Sequence, residues 1–303
     1  MEHPILWIVF GIVVLATMTI DLGLLHRTAR EITTKEALAW TAVWVALGLG
    51  FCGVLARFDD PGRAAEYLAC YVTEYALSVD NIFVFLVIFT FFAVPPASRH
   101  RVLFWGILGA VGMRALFLFG GVALVQRFHW MVWLMGGILV LTGIKLLFQG
   151  DTHTDPSKNP VLRVTRKLVP VTETYEGSHF FVRRSGKLFA TPLFLTLLVV
   201  ESTDVLFAVD SVPAALALSN DRLVLLTSNV FAILGLRSLF FAVSGVMKYL
   251  RFLRFGLAAI LIFVGVKMCL PEEYKIPTGV ALTVVGGILV FSVLASIVVP
   301  QKK

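Results

Sequence analysis

A chain of 303 residues that is 58% hydrophobic and only 15% charged falls short of the roughly 25% charged residues of a soluble domain. Its formal charge of +7 calls for no nucleic-acid partner, because basic loops beside a membrane meet anionic lipid. Its three cysteines, Cys52, Cys70 and Cys269, are scattered and lack metal-type spacing.

Nine apolar runs follow one another: Pro4–Leu25, Leu38–Ala56, Tyr67–Val94, Val102–Val125, Trp130–Phe148, Phe189–Leu218, Leu223–Met247, Phe252–Leu270 and Ile276–Val299. A run of about 20 apolar residues crosses a ~30 Å hydrocarbon core as a helix. The first run does not read as a secretory signal, since Glu2 and His3 precede it and His26, Arg27 and Arg30 follow it. It reads as a retained span with its N-terminus outside. On that orientation, segments 26–37, 95–101, 149–188, 248–251 with Arg254, and 300–303 are cytoplasmic and hold 17 Lys/Arg. The outer segments hold five. This asymmetry places the C-terminus in the cytoplasm.

The 149–188 segment carries Asp-Pro, Asn-Pro and Ser-Gly turn signals and a basic, weakly amphipathic piece near Leu162–Leu168. It reads as a surface loop packed under the membrane domain. It also divides an internal repeat. Glu74-Tyr-Ala-Leu-Ser-Val-Asp80-Asn81, then Gly112-Met-Arg114-Ala-Leu-Phe117 and Gly143-Ile-Lys145, are answered by Asp204-Val-Leu-Phe-Ala-Val-Asp210-Ser211, then Gly235-Leu-Arg237-Ser-Leu-Phe240 and Gly265-Val-Lys267. Each copy holds three spans with none between them, so the second is inverted relative to the first, a recurring plan of secondary transporters. The expected fold is an all-α membrane protein, a single transmembrane domain over 1–303. Two peripheral helices (4–56) precede repeat 1 (67–148), the cytoplasmic loop (149–188), repeat 2 (189–270) and a final helix (276–299), nine spans with a 3+3 inverted core.

Six carboxylates fall within the runs: Asp21, Glu74, Asp80, Glu201, Asp204 and Asp210. At roughly 2.5–3.5 kcal/mol each, they oppose insertion by about 15–20 kcal/mol unless compensated. The deep positive charges are Arg114 and Arg237, expected as counter-charges, whereas Lys145 and Lys267 sit near span ends and snorkel. Cations, protons or both must supply the balance. All six histidines lie outside the span centres, and no cysteine sits beside the acids. Ligands are therefore all oxygen: the acids, Asn81, Ser78, Ser202, Thr203, Ser211 and backbone carbonyls. Such a set suits Mg2+, Ca2+ and Mn2+ and argues against copper or zinc.

At 100° per residue, Glu74, Ser78 and Asn81 share a helix face, and Glu201 and Asp204 share another. Asp80 and Asp210 lie about 120° from the first acid of each motif. One site then requires either unwound helices or a position between several helices. The length of the motif-bearing runs favours unwinding. So does Pro213, which leaves the Val209 carbonyl without its helical donor. Salt bridges of the acids to Arg114 and Arg237 are the structural alternative. Asp21, near the inner end of its run, is equally a structural or interfacial residue.

Glu74-Tyr-Ala-Leu-Ser-Val-Asp80-Asn81 and Glu201-Ser-Thr-Asp204-Val-Leu-Phe-Ala-Val-Asp210-Ser211-Val-Pro213-Ala closely resemble the two signature motifs of the TerC family of bacterial membrane proteins. Asp21-Leu-Gly-Leu-Leu-His26-Arg27 and Ala39-Trp40 resemble its N-terminal region. The resemblance implies a place in a wider group of cation and amino-acid exporters similar to the LysE superfamily, in which members of the alkali-inducible Alx type are associated with manganese export. It also implies an inner-membrane location. The family takes its name from tellurite-resistance loci, and some members have been described as redox modulators. The matching acids are Glu74, Asp80, Glu201, Asp204 and Asp210, with Asn81 and Ser211; Ser78, Val209 and Asp21 are accessory candidates.

The function expected on these grounds is export of a divalent cation, Mn2+ first, with possible proton coupling through the carboxylates and no permanently bound cofactor. Divalent cation and membrane lipid are the partners; oligomeric state is left open. The alternative is a membrane scaffold or assembly component linked to tellurite resistance, which would depend on the 149–188 loop instead of the acids. No enzyme is expected: the Tyr-Asp and Gly-x-Gly-Asp pairs of a membrane aspartyl protease are absent, as are paired cysteines or haem ligands for redox chemistry.

Overall fold

In hydrocarbon every backbone N–H and C=O must be satisfied within its own segment, and the apolar runs accordingly form helices. The computed structural model describes residues 4–25, 33–128, 130–148, 160–184, 186–243, 252–271, 274 and 276–298; the side chains of residues 18, 20–25, 79, 80, 83, 166 and 243 stand outside that description. The order is α1 (Pro4–Leu25), α2 (Thr34–Phe58), α3 (Pro61–Phe91), α4 (Pro96–Arg127), α5 (Met131–Phe148), α6 (Pro160–Leu168), β1 (Phe181–Arg184), β2 (Lys187–Ala190), α7 (Pro192–Leu216), α8 (Arg222–Leu234), α9 (Leu236–Val243), α10 (Leu253–Cys269) and α11 (Thr278–Val298). Helices α8 and α9 meet at Gly235, whose own backbone remains helical at φ −72° and ψ −17°. Among the described residues, six helical segments are long and apolar enough to cross a membrane: α2, α4, α5, α7, α8 with α9, and α11.

Large apolar side chains cover the outside. Phe148 is 84% exposed, Phe291 73% and Ile297 69%, which a water-facing surface does not sustain over such an area and a lipid-facing one does. The α8–α9 segment is the opposite case, with 94% of its apolar window buried against 22% for α2, α5 and α11. It runs through the middle of the bundle. Around it α3 packs on α8, α4 on α7, and α5 on α10; α3 also meets α7, and α4 meets α8. Helix α2 lies against α3 and α9, and α11 against α3 and α10.

The α5–α10 crossing depends on small residues, which let helix backbones approach where no hydrophobic effect drives association. A Cβ on Gly143 would stand 2.8 Å from the Ala258 carbonyl oxygen, and one on Gly265 would stand 2.7 Å from that of Gly136. These two glycines head the repeated Gly-x-Lys blocks, so close helix packing accounts for their recurrence.

Helices α3 and α7 run unbroken through both acidic motifs, which corrects the expectation of local unwinding. Pro213 lies in the last turn of α7, where its missing N–H releases one carbonyl, that of Val209, without breaking the axis. Helix α3 starts six residues before its apolar run, with Asp60 accepting from the Arg63 N–H at 3.2 Å as N-cap and Pro61 in the first turn.

The segment expected as a surface loop has more structure than its turn signals suggested. Residues 149–159 lie outside the description; beyond them come α6 and an antiparallel β1–β2 hairpin turning at Gly186, which has φ +79°. This segment docks on the α3–α4 connection. The Tyr175 hydroxyl donates to the Phe92 carbonyl at 2.6 Å, Ser178 and Ser98 hydroxyls meet at 3.0 Å, and Arg101 lies over the Phe180 ring.

Candidate functional site

Near the middle of α4, Arg114 is 1% exposed. Its Nη1 donates to Glu74 Oε2 on α3 at 2.7 Å, and its Nη2 and Nε donate to Asp204 Oδ1 and Oδ2 on α7 at 3.2 and 3.4 Å. Asn81, seven residues and two turns beyond Glu74, shares its face. In the amide orientation that satisfies both its atoms, Asn81 accepts from Arg114 Nη2 at 3.3 Å and donates to the Leu77 carbonyl at 3.1 Å. The first acids of both motifs thus meet at one guanidinium. Glu74, Asn81 and Asp204 are all buried. With both carboxylates ionised, the cluster carries one negative charge in excess, in a place where an uncompensated charge costs several kcal/mol.

On α3, α7 and α8, several buried polar atoms close no hydrogen bond of ordinary geometry: Glu74 Oε1, Ser78 Oγ, Thr73 Oγ1, Ser211 Oγ and both amide atoms of Asn229. Ser78 and Ser211 were expected from the motifs; Thr73 and Asn229 were not. Asn229, on α8, faces the Glu74 carboxylate. Its signal in the sequence was an amide inside the Leu223–Met247 run. The hydroxyls of Ser202 and Thr203 turn back to the Val199 carbonyl, at 3.0 and 2.7 Å.

The remaining candidates are dispersed. Glu201 is partly buried, sits on the Asp204 face of α7, and lies flat on α4 at Gly109, where a Cβ would overlap its carboxylate. Asp210 points to α5, where the Thr142 hydroxyl donates to its Oδ1 at 2.9 Å and Lys145 also faces it. Val209 is an exposed side chain, of interest only for its freed carbonyl. Arg237, the counterpart of Arg114, is also buried, at 3% exposed. The backbones of Asp80 and Asp21 belong to α3 and α1, but their side chains lie outside the described residues. Among the described residues, no three His, Cys, Asp or Glu side chains gather closely enough to hold a metal ion. The cluster itself offers two carboxylates and neutral oxygens.

A family model, integral membrane protein TerC family, matches residues 59–303. An uncharacterized membrane protein of Myxococcus xanthus is 45% identical over 296 residues, 97% of this chain and 92% of its own length. A protein of Escherichia coli K12, provisionally named membrane-bound redox modulator Alx, is 42% identical over 299 residues, 95% of this chain and 93% of its own. An uncharacterized membrane protein of Rickettsia bellii is 36% identical over 293 residues, covering 96% and 97%. No solved structure matches the chain. With apolar helices long enough to cross a bilayer several times, and with matches that extend over nearly all of it, this chain belongs to the TerC family of multi-pass integral membrane proteins.

Proposed function

We propose that the protein is a secondary transporter that exports a divalent cation, Mn2+ foremost, from the cytoplasm across the bacterial inner membrane. The observation that carries this reading is the cluster of Glu74, Asp204 and Asn81 on Arg114, with two carboxylates to one guanidinium at full burial. A passing cation offsets the excess charge, and the donors, all oxygen, suit Mn2+, Mg2+ and Ca2+; the choice of Mn2+ rests on family resemblance. Arg114 is the counter-charge that holds Glu74 and Asp204 between transport events. Asp210, Glu201 and Asp80 line the path or carry protons in exchange.

In this reading nine spans enclose two inverted units, α3–α5 and α7–α10, with the N-terminus outside and the C-terminus in the cytoplasm. The packing supports it. Exchanging α3 with α7, α4 with α8 and α5 with α10 turns the α3–α8 contact into the α4–α7 contact, and maps α5–α10, α3–α7 and α4–α8 onto themselves. Such inverted units bind their substrate where they meet.

Flux into proteoliposomes holding the purified protein tests the proposal. Wild type should move Mn2+ saturably, and Asp204→Asn should lower its apparent affinity at least about tenfold, as loss of about 1.4 kcal/mol would. Failure to move Mn2+, Mg2+ or Ca2+ sinks the transport reading. The scaffold reading draws on the docked 160–190 segment; exchanging residues 149–188 while keeping the acids should leave flux intact if transport is the function.

A further inference from the structure

We infer that Asn229 is a neutral ligand of the transported cation, binding it together with Glu74 Oε1; the inference rests on the transport reading above. Asn229 is 1% exposed, faces Glu74, and closes no hydrogen bond of ordinary geometry with either amide atom. Glu74 divides its two oxygens: Oε2 holds Arg114, and Oε1 accepts no hydrogen bond of ordinary geometry. A buried amide beside a buried carboxylate, with the contact between them too poorly aligned to close an ordinary hydrogen bond, is costly to the fold, and the cost points to a ligand as their common partner. The amide oxygen is a hard, uncharged donor of the kind Mn2+, Mg2+ and Ca2+ accept. A cation held there takes its charge compensation from the oxygen that Arg114 leaves open.

Two further observations separate Asn229 from an ordinary packing residue. Its polar neighbours on α8 are already satisfied within the helix: Thr227 donates to the Leu223 carbonyl at 2.7 Å and Ser228 to that of Leu225 at 3.2 Å. Asn229 does neither. The internal repeat shows, moreover, that the fold does not require an amide at this place. The blocks Gly112–Phe117 and Gly235–Phe240 are offset by 123 residues, and the same offset sets Gly106 opposite Asn229. At Gly106 the space is taken by Val200, whose Cγ1 would be 3.1 Å from an added Cβ. One copy packs an aliphatic side chain against a glycine where the other presents an amide to a carboxylate. The cation site is therefore asymmetric, richer in ligands on the Glu74 side than on the Asp204 side.

Thermal unfolding of the full-length protein in detergent, titrated with MnCl2, MgCl2 or CaCl2, tests this. Wild type should be stabilised by Mn2+. Asn229→Leu, close in size and apolar, should unfold at or above the wild-type temperature without metal, since it removes an unsatisfied amide. It should also need at least about tenfold more Mn2+ for an equal shift. Asn229→Asp should restore the Mn2+ response. An amide with a purely structural role predicts the reverse for Asn229→Leu, a lower unfolding temperature and an unaltered Mn2+ response. If wild type responds to Mn2+ and Asn229→Leu responds equally, the ligand assignment is overturned and the transport reading stands. If no cation stabilises wild type, both fall. Should Asn229→Leu not fold, Asn229→Ser, which keeps one shorter oxygen, must show the same weakened response.

Discussion

Two arginines in this molecule each stand between two carboxylates, and they differ chiefly in where the water is. Arg63, at the rim, donates to Asp59 at 2.5 Å and to Asp221 at 2.7 Å, with its own side chain 20% exposed and Asp221 32% exposed. Arg114, in the interior, holds Glu74 and Asp204 with all three side chains at 5% exposure or less. At the rim, burial pushes the Arg63 guanidinium down. The hydrogen bond and charge of Asp221, with those of Asp59, outweigh that effect and leave it above its ordinary value. The spare negative charge there is left to water and salt. Asp221 is also the N-cap of α8, accepting from the Val224 N–H at 3.0 Å, so the rim triad latches the α2–α3 connection to the α7–α8 connection. In the interior, water does not screen the spare charge. On the transport reading, the arrangement that braces the fold at the rim becomes at depth a demand for a cation.

The interior triad should therefore respond most to the loss of its arginine. Arg114→Leu leaves two buried carboxylates facing each other, and breaking a buried pair costs about 3–5 kcal/mol. We expect a fall of that size in thermal unfolding, or failure to purify a folded protein. Adding Glu74→Gln and Asp204→Asn to Arg114→Leu removes the stranded charges and should recover part of the stability, because burying a neutral amide costs less than burying an unpaired carboxylate. Transport should not recover. A triple variant that remains as unstable as the single one would mean that the triad is a structural brace like that at Arg63.

Gly109→Ala touches the interior without removing any charge. The added Cβ overlaps the Glu201 carboxylate, the free end of a flexible side chain, which can move aside. Stability should change by under about 1 kcal/mol, while Mn2+ flux in proteoliposomes falls because the carboxylate no longer lies on α4. Unaltered flux would remove Glu201 from the path.

Much of this contrast was legible in the residues. The apolar runs anticipated the long helices to within six residues of their ends, since length and hydropathy decide what a bilayer accepts. The shared face of Glu74 and Asn81 followed from helical spacing, and the ion pairs that Glu74 and Asp204 make with Arg114 were foreseen as the structural alternative. What was missed depends on contacts between helices. Asp210 has the same residue type and motif position as Asp80, yet its partner, Thr142, is an unremarked hydroxyl on another helix. Gly109 and Asn229 draw their meaning from what stands opposite them in space. The β1–β2 hairpin is only four residues a side and carries little periodicity, so its turn signals read as loop.

The smallest effect belongs to the rim. In Arg63→Ala, Asp221 keeps its capping bond, and Asp59, 5% exposed, loses one partner. Exposed ion pairs contribute about 0.2–1 kcal/mol each, so we expect a loss of about 1 kcal/mol in thermal unfolding at low salt. At 1 M salt, where the screening length is about 3 Å, the difference from wild type should shrink, whereas that of Arg114→Leu should persist because ions do not reach it. Flux should stay near wild type, since Arg63 stands at the rim, away from the buried cluster. An Arg63→Ala loss as large and as indifferent to salt as that of Arg114→Leu would make burial irrelevant to the contrast. The excess charge at Arg114 would then be no more a call for a cation than the one at Arg63.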